Sequence, residues 1–247
     1  RQARIRALAA VFFFNDAATT EIYAHHDTLS LHDPLPISKH PLVSPRAHCD
    51  SAVLADSSPA RLPVFSASGM QDWIDWAPYR RHGGTWAIQT KRGCPMPCNY
   101  CTYPDIEGRT FRRRTAEDVV DEIEAVQHSI APRTFEFVDS TFNLPETHAL
   151  GICEEIIRRG LKVNLTTMGI NPRSVSPELF ALMKCAGFNS MMITPEAGND
   201  SMLRNLDKGF DMQDVRRTAA LARASGLHST WFFMLGGPGD TRATVDE

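Results

Sequence analysis

The chain has 247 residues, a net charge of −3, and is 43% hydrophobic and 22% charged. That is ordinary globular usage, which excludes wholesale disorder, collagen-like repeats and a supercharged nucleic-acid binder. No apolar run approaches the ~18–20 residues of a membrane span, and six cysteines are too few to staple a chain of this size.

The first segment does not look like the rest. Residues 12–38 read FFFNDAATTEIYAHHDTLSLHDPLPIS, with no period of 2 or 3.6. His25, His26, His32, His40 and His48 crowd the region, but no cysteine or carboxylate stands beside them at ligand spacing. The run resembles a translated sequencing adapter, whose frames give NDTATTEIY and TLSLHDALPIS around a short variable index. Ala17, Ala24 and Pro34 are the departures, and Ala24 to Asp27 fill the index gap. Residues 1–38 are therefore read as an artefactual or disordered leader and set aside. Residues 39–84 follow as an irregular, Pro- and Ser-bearing linker ending in Trp73, Trp76 and Tyr79, aromatics expected to pack on the next domain.

From residue 85 a strand–helix rhythm sets in. Residues 85–90 predict a strand. Thr115 caps a helix with a stripe of Val119, Val120, Ile123 and Val126, and 135–139 predict the second strand. A helix over 147–159, with Ile152, Ile156 and Ile157 inward, closes at Gly160, and a third strand covers 161–167. Ser176 and Pro177 open a helix that Gly187 ends, before a fourth strand at 190–194. Asp211 caps a helix closed by Gly226, and 229–235 form a fifth strand. Thr241 caps one more turn, and the absence of a C-cap beyond it gives the expectation of a truncated domain. Alternating strands and helices imply parallel βαβ units, with chemistry beyond the carboxyl ends of the strands.

The loop after the first strand reads Lys91-Arg92-Gly93-Cys94-Pro95-Met96-Pro97-Cys98-Asn99-Tyr100-Cys101. Three thiolates at Cys-x3-Cys-x2-Cys can converge on one cubane. A [4Fe–4S] cluster normally takes four, so three leave one iron open to a ligand. Zinc prefers four ligands, and His82 is badly placed to be the fourth. Cys153 and Cys185 fall within helices and Cys49 in the linker, so none of these is read as a ligand. Arg109, Arg112, Arg113 and Arg114 against a charge of −3 make a poor nucleic-acid footprint, and they are read as a solvated face or a contact to an anionic substrate.

Residues 85–247, with the string IQTKRGCPMPCNYCTYPDIEGR, resemble the radical S-adenosylmethionine (radical SAM) superfamily, in the subgroup that often carries a cobalamin-binding domain. The resemblance implies an α/β fold: a partial parallel (βα)6 barrel, truncated after the fifth strand. It implies that Cys94, Cys98 and Cys101 ligate a [4Fe–4S] cluster whose open iron binds S-adenosylmethionine, split on reduction to a 5′-deoxyadenosyl radical. Methylation, cyclisation or rearrangement of an unknown substrate would follow. By the same resemblance Tyr100 lies near the adenine, and Asp139, Ser140 and Thr141 near the methionyl amine. Glu196 lies on the ribose or amine, and Gly236 and Gly237 at the adenosyl group. Reduced flavodoxin or ferredoxin is the implied electron donor. An oxygen-labile cluster suits a reducing cytoplasm. Cobalamin stays open as a cofactor of the full-length parent, since no Asp-x-His-x-x-Gly segment occurs before residue 85. The alternatives are a non-catalytic iron–sulfur electron-transfer protein, which needs a fourth ligand that is not evident, or an inactive fragment.

Overall fold

The computed structural model describes residues 65–173 and 175–247; the adapter-like leader and the first part of the expected linker lie outside the described residues. In chain order these form a 3-10 turn (Met70–Asp72), α1 (Ala77–Arg81), β1 (Trp86–Ile88), β2 (Lys91–Arg92), α2 (Tyr103–Glu107) and β3 (Arg112–Arg113). There follow α3 (Ala116–Ser129), β4 (Phe135–Phe137), α4 (Glu146–Arg159), β5 (Leu165–Ile170), α5 (Pro177–Ala186), β6 (Phe188–Glu196), α6 (Asp200–Asn205), α7 (Met212–Ser225), β7 (His228–Phe233) and α8 (Arg242–Asp246).

Five strands make one parallel sheet in the order β1-β4-β5-β6-β7. This is the α/β class the alternation predicts. Trp86, Phe135, Leu165 and Phe188 stand in register across four strands and begin the core. The Phe137 ring lies 4.9 Å from Phe142 and 5.4 Å from Phe188, an aromatic cluster beneath the carboxyl edge.

The covering helices form where their caps and stripes place them. Thr115, Ser176 and Asp211 each accept a hydrogen bond from the backbone three residues on, satisfying a donor that the first turn leaves unpaired. Val119, Val120, Ile123 and Val126 of α3 are fully buried, as their spacing predicts. Ile157 is the exception, at 39% exposed. The inward face of α4 is Ala149, Ile152, Cys153 and Ile156, and one further residue rotates the side chain off that stripe.

Strand boundaries shift for physical reasons. The third sheet strand starts at Leu165 rather than 161, because Phe135 and Phe188 pair with Leu165 while Leu161 and Val163 pack against the core on the way up. The first strand ends at Ile88, since Lys91–Arg92 turn away to pair antiparallel with Arg112–Arg113. The fourth is longer than expected, nine residues, because it pairs on both sides. The last described part of the expected linker is built onto the domain. The Trp76 ring stacks on Tyr79 at 5.0 Å and meets Trp86 edge-on at 5.1 Å, whereas Trp73 is 72% exposed.

The basic run divides: Arg109 and Arg113 are exposed, in keeping with a solvated face, while Arg112 and Arg114 are spent internally. Arg112 pairs with Glu107 at 2.6 Å; Arg114 is buried, 2.6 Å from Asp118 and paired with Glu122. Only Arg109 of these forms a loose, exposed pair, 3.7 Å from Asp105. Among the described residues no helix is long and apolar enough to cross a membrane.

Candidate cofactor site

The cysteine loop is held at both ends. Its entry is β2 and its exit runs through α2 to β3, so the short hairpin closes the loop at its base. Gly93 has φ 84°, and a Cβ there would run into the Thr110 carbonyl, so the sharp turn out of the strand requires glycine. The Cys94 amide donates to the Gly108 carbonyl at 2.9 Å and the Cys101 amide to the Cys98 carbonyl at 3.3 Å.

All three thiols are free; Cys94 is buried, and Cys98 and Cys101 are half-buried. The Cys98 thiol is pushed up from its ordinary value, first by burial; Lys208 opposes the shift, and Cys94 and Cys101 add to it. The three sulfurs therefore lie within electrostatic reach of each other, with Lys208 near Cys98 and Lys91 near Cys94. That donor set fits a cluster whose irons are shared among three thiolates. Thiolates are also what such a cluster demands, and Lys208 favours that form at Cys98. Among the described residues no three His, Cys, Asp or Glu side chains are grouped as ligands of a single ion.

A second group faces the loop from β6 and the turn after α6. Lys208 is 4% exposed; its Nζ donates to Tyr100 Oη at 2.8 Å and stands 3.8 Å from Glu196 Oε1. The same ammonium lies over the rings of Tyr100 (5.3 Å) and Phe210 (5.7 Å). Partial burial, with the charges of Glu196 and the nearby thiols, pushes the Tyr100 phenol well above its ordinary value and keeps it neutral. Glu196 ends β6 at φ 70° and Asp207 precedes the lysine at φ 53°, left-handed conformations that cost non-glycine residues energy. The sequence reading missed Lys208. Its position two residues before Phe210, in a turn between two helices, carries no signal until the turn meets Tyr100.

The same turn braces the loop from outside. Asn99 Nδ2 donates to the Asn205 carbonyl at 2.6 Å, and Asn205 Nδ2 donates to the Pro238 carbonyl at 2.9 Å. α6 thus ties the cysteine loop to the loop carrying Gly236 and Gly237, in which the Gly236 amide donates to Asp240 at 2.8 Å.

The residues after β4 divide. Ser140 Oγ donates to the Gly93 carbonyl at 3.3 Å, at the base of the cysteine loop. Thr141 Oγ1 is buried with no hydrogen-bond partner among the described residues. Asp139 has no exposed side-chain surface and engages Thr90 and Lys91. The structure thus brings Cys98, Tyr100 and Glu196 to Lys208, sets Ser140 at the base of the loop that carries Cys94 and Cys101, and turns Asp139 inward.

Comparison with known proteins identifies the family. The profile of the Radical SAM superfamily covers residues 88–247. The chain is 30% identical over 197 residues to tryptophan 2-C-methyltransferase of Streptomyces laurentii, covering 74% of this chain and 33% of the relative. It is 27% identical over 178 residues to cytidylyl-2-hydroxyethylphosphonate methyltransferase of Streptomyces wedmorensis, covering 69% of this chain and 33% of that protein. Among solved structures it is similar to the radical S-adenosylmethionine methyltransferase TsrM of Kitasatospora setae, solved with cobalamin and a [4Fe–4S] cluster. That match has 28% identity and a TM-score of 0.64, covering 70% of this chain and 34% of TsrM. The cobalamin-dependent enzyme OxsB shares the fold, with 20% identity and a TM-score of 0.55 over 63% of this chain and 24% of OxsB. The chain spans about a third of the length of these relatives.

Proposed function

Since this chain belongs to the radical SAM superfamily, we propose that it is the cofactor-binding part of an enzyme that cleaves S-adenosylmethionine reductively and transfers a methyl group to a carbon of its substrate. The observation that carries the reading is the set of three free thiols on one clamped loop, beside the Lys208–Tyr100–Glu196 group. Methyl transfer is favoured over cyclisation because methyltransferases are prominent among the relatives with the broadest coverage.

Cys94, Cys98 and Cys101 would hold the [4Fe–4S] cluster. When bound and reduced, the cluster would supply the electron that splits S-adenosylmethionine into methionine, which keeps its methyl group, and a 5′-deoxyadenosyl radical; the methyl group transferred would come from a second S-adenosylmethionine. The chain's own residues bind and orient. Glu196 accepts from an amine or ribose hydroxyl, with Lys208 holding its carboxylate in place. Tyr100 presents a half-exposed, neutral ring to the adenine. Ser140 keeps the loop base closed, and Thr141 supplies a hydroxyl that no group among the described residues uses. Gly236 and Gly237 let backbone approach the adenosyl group. A reduced flavodoxin or ferredoxin would deliver the electron, cobalamin would belong to the longer protein, and the reducing cytoplasm is the compartment that suits the cluster.

Anaerobic reconstitution, reduction with dithionite and quantification of 5′-deoxyadenosine test the reading. The expected result is nucleoside formed only when S-adenosylmethionine, reductant and all three cysteines are present. A cluster-loaded, reduced protein that binds no S-adenosylmethionine would overturn it.

A further inference from the structure

Asp139 follows β4 next to the cysteine loop, where a carboxylate could meet a ligand's amine. Its contacts point elsewhere. Oδ1 accepts from the Thr90 amide at 2.8 Å and from the Lys91 amide at 3.1 Å. Oδ2 accepts from Thr90 Oγ1 at 2.5 Å and lies 3.4 Å from Lys91 Nζ. An ionised carboxylate offers about four acceptor sites, and all are taken. Neither side chain of the Lys91–Asp139 pair has exposed surface.

Lys91 is anchored beyond the pair as well. Its Nζ donates to the Phe142 carbonyl at 2.9 Å and stands 5.6 Å over the Phe142 ring. Burial pulls the ammonium below its ordinary value, and Asp139 opposes that shift. The reason for a charged group here is local. The amides of Thr90 and Lys91 lie just past the end of β1, buried beside the core, and need an acceptor that is not a strand carbonyl. Asp139 supplies it. The next residue, Ser140, donates to the Gly93 carbonyl. Every residue from Thr90 to Gly93 except Arg92 is therefore fastened to the Asp139–Ser140 turn, and Cys94 comes next. The turn itself is backed by β5, where a Cβ on Gly169 would lie 2.9 Å from the Ser140 carbonyl.

We infer that Asp139 and Lys91 are positioning residues for the cluster: they clamp the base of the cysteine loop so that Cys94 is presented in a fixed place, and Asp139 does not itself bind S-adenosylmethionine. The inference rests on the reading that this loop holds a [4Fe–4S] cluster. It separates two roles that proximity alone confuses, because a ligand to S-adenosylmethionine acts after the cluster is in place, whereas a clamp acts before.

The test uses the 247-residue chain, reconstituted anaerobically, with Asp139→Asn, the near-isosteric Thr90→Val, and the double variant Lys91→Met/Asp139→Leu. Three quantities are read: the rate of iron loss to a chelator without S-adenosylmethionine, the thermal midpoint, and S-adenosylmethionine affinity of the protein that remains loaded. Iron loss should quicken about tenfold in Asp139→Asn and severalfold in Thr90→Val, the scale of hydrogen bonds to a charged group. Affinity of the loaded fraction should stay within about twofold, below the effect of losing one such bond. The double variant avoids the penalty of an uncompensated charge, yet it leaves the Thr90 and Lys91 amides without the Asp139 acceptor and should still lose iron quickly. A double variant that holds iron like the parent overturns the inference, for the pair would then serve stability alone. Unchanged iron loss with affinity weakened tenfold or more in Asp139→Asn also overturns it and makes Asp139 a ligand. A parent that loads no iron overturns the cofactor reading together with the clamp; a parent that loads normally beside indistinguishable variants overturns the clamp alone.

Discussion

In the helical layer, α3, α5 and α7 are closed by their own neighbours: Thr115 caps onto Asp118, Ser176 onto Leu179 and Asp211 onto Asp214. At the carboxyl edge of the sheet the partners are remote. Lys208 reaches Tyr100 across 108 residues, Asn99 reaches Asn205 across 106, and Asp139 reaches Thr90 across 49. The layer is held by many apolar contacts, whereas the edge is held by a few polar ones between residues distant in sequence. Even the thiols divide this way. Burial pushes the Cys153 thiol in α4 up to about 12, which leaves it an inert core group, while the loop thiols sit beside a lysine. The difference teaches that stability and cofactor binding are separable in this domain and that mutations should sort by region.

The largest expected effect is in the layer. Ile152 is fully buried in α4, and Ile152→Ala should cost about 2–5 kcal/mol, through lost burial and the cavity left. Urea unfolding would read the loss, while S-adenosylmethionine affinity of the folded, loaded protein should not move. A parallel loss of affinity would break the separation.

The next effect sits where the regions touch. His148 of α4 donates through Nε2 to the Arg114 carbonyl at 2.9 Å, and its Nδ1 is buried without a partner among the described residues. Burial, with Lys91 nearby, holds the imidazole down to about 4. The unfolded chain binds that proton near pH 6.5, so the contribution is complete above that pH. It is lost as pH falls from about 6.5 towards 4, up to roughly 3 kcal/mol in all. Unfolding midpoints across that window should fall steeply in the parent and less in His148→Gln. Equal slopes would remove His148 from the account.

The smallest of the three lies at the edge. Lys208→Met keeps the length of the side chain but removes the bond to Tyr100 and the charge beside Glu196. It should weaken S-adenosylmethionine binding about 10- to 100-fold with little change in iron content, a result that equilibrium binding to loaded protein would reveal. If iron content falls with affinity unchanged, Lys208 serves the loop rather than the ligand.

The same contrast explains what could be read from the chain. Helix positions follow from caps and periodicity, which are local, so α3, α5 and α7 lie where Thr115, Ser176 and Asp211 predict. The cysteines were legible because their spacing is itself a motif. The β2–β3 hairpin was not, because two residues pair with two others about twenty positions on and leave no period. Lys208 and Lys91 were not either. A lysine in sequence reads as a surface charge, and only the fold shows both to be buried and paired. Asp139 was noticed for its place at a strand end, but place alone could not distinguish a ligand from a clamp.

The central claim is that Cys94, Cys98 and Cys101 hold a cluster with one iron open to S-adenosylmethionine. Electron paramagnetic resonance of the reconstituted, reduced chain, recorded with and without S-adenosylmethionine beside a Cys98→Ala control, tests it most directly. The account expects a reduced-cluster signal in the parent whose line shape changes when S-adenosylmethionine is added, and no such signal in the control. A parent signal indifferent to S-adenosylmethionine, or one that survives Cys98→Ala, would contradict it.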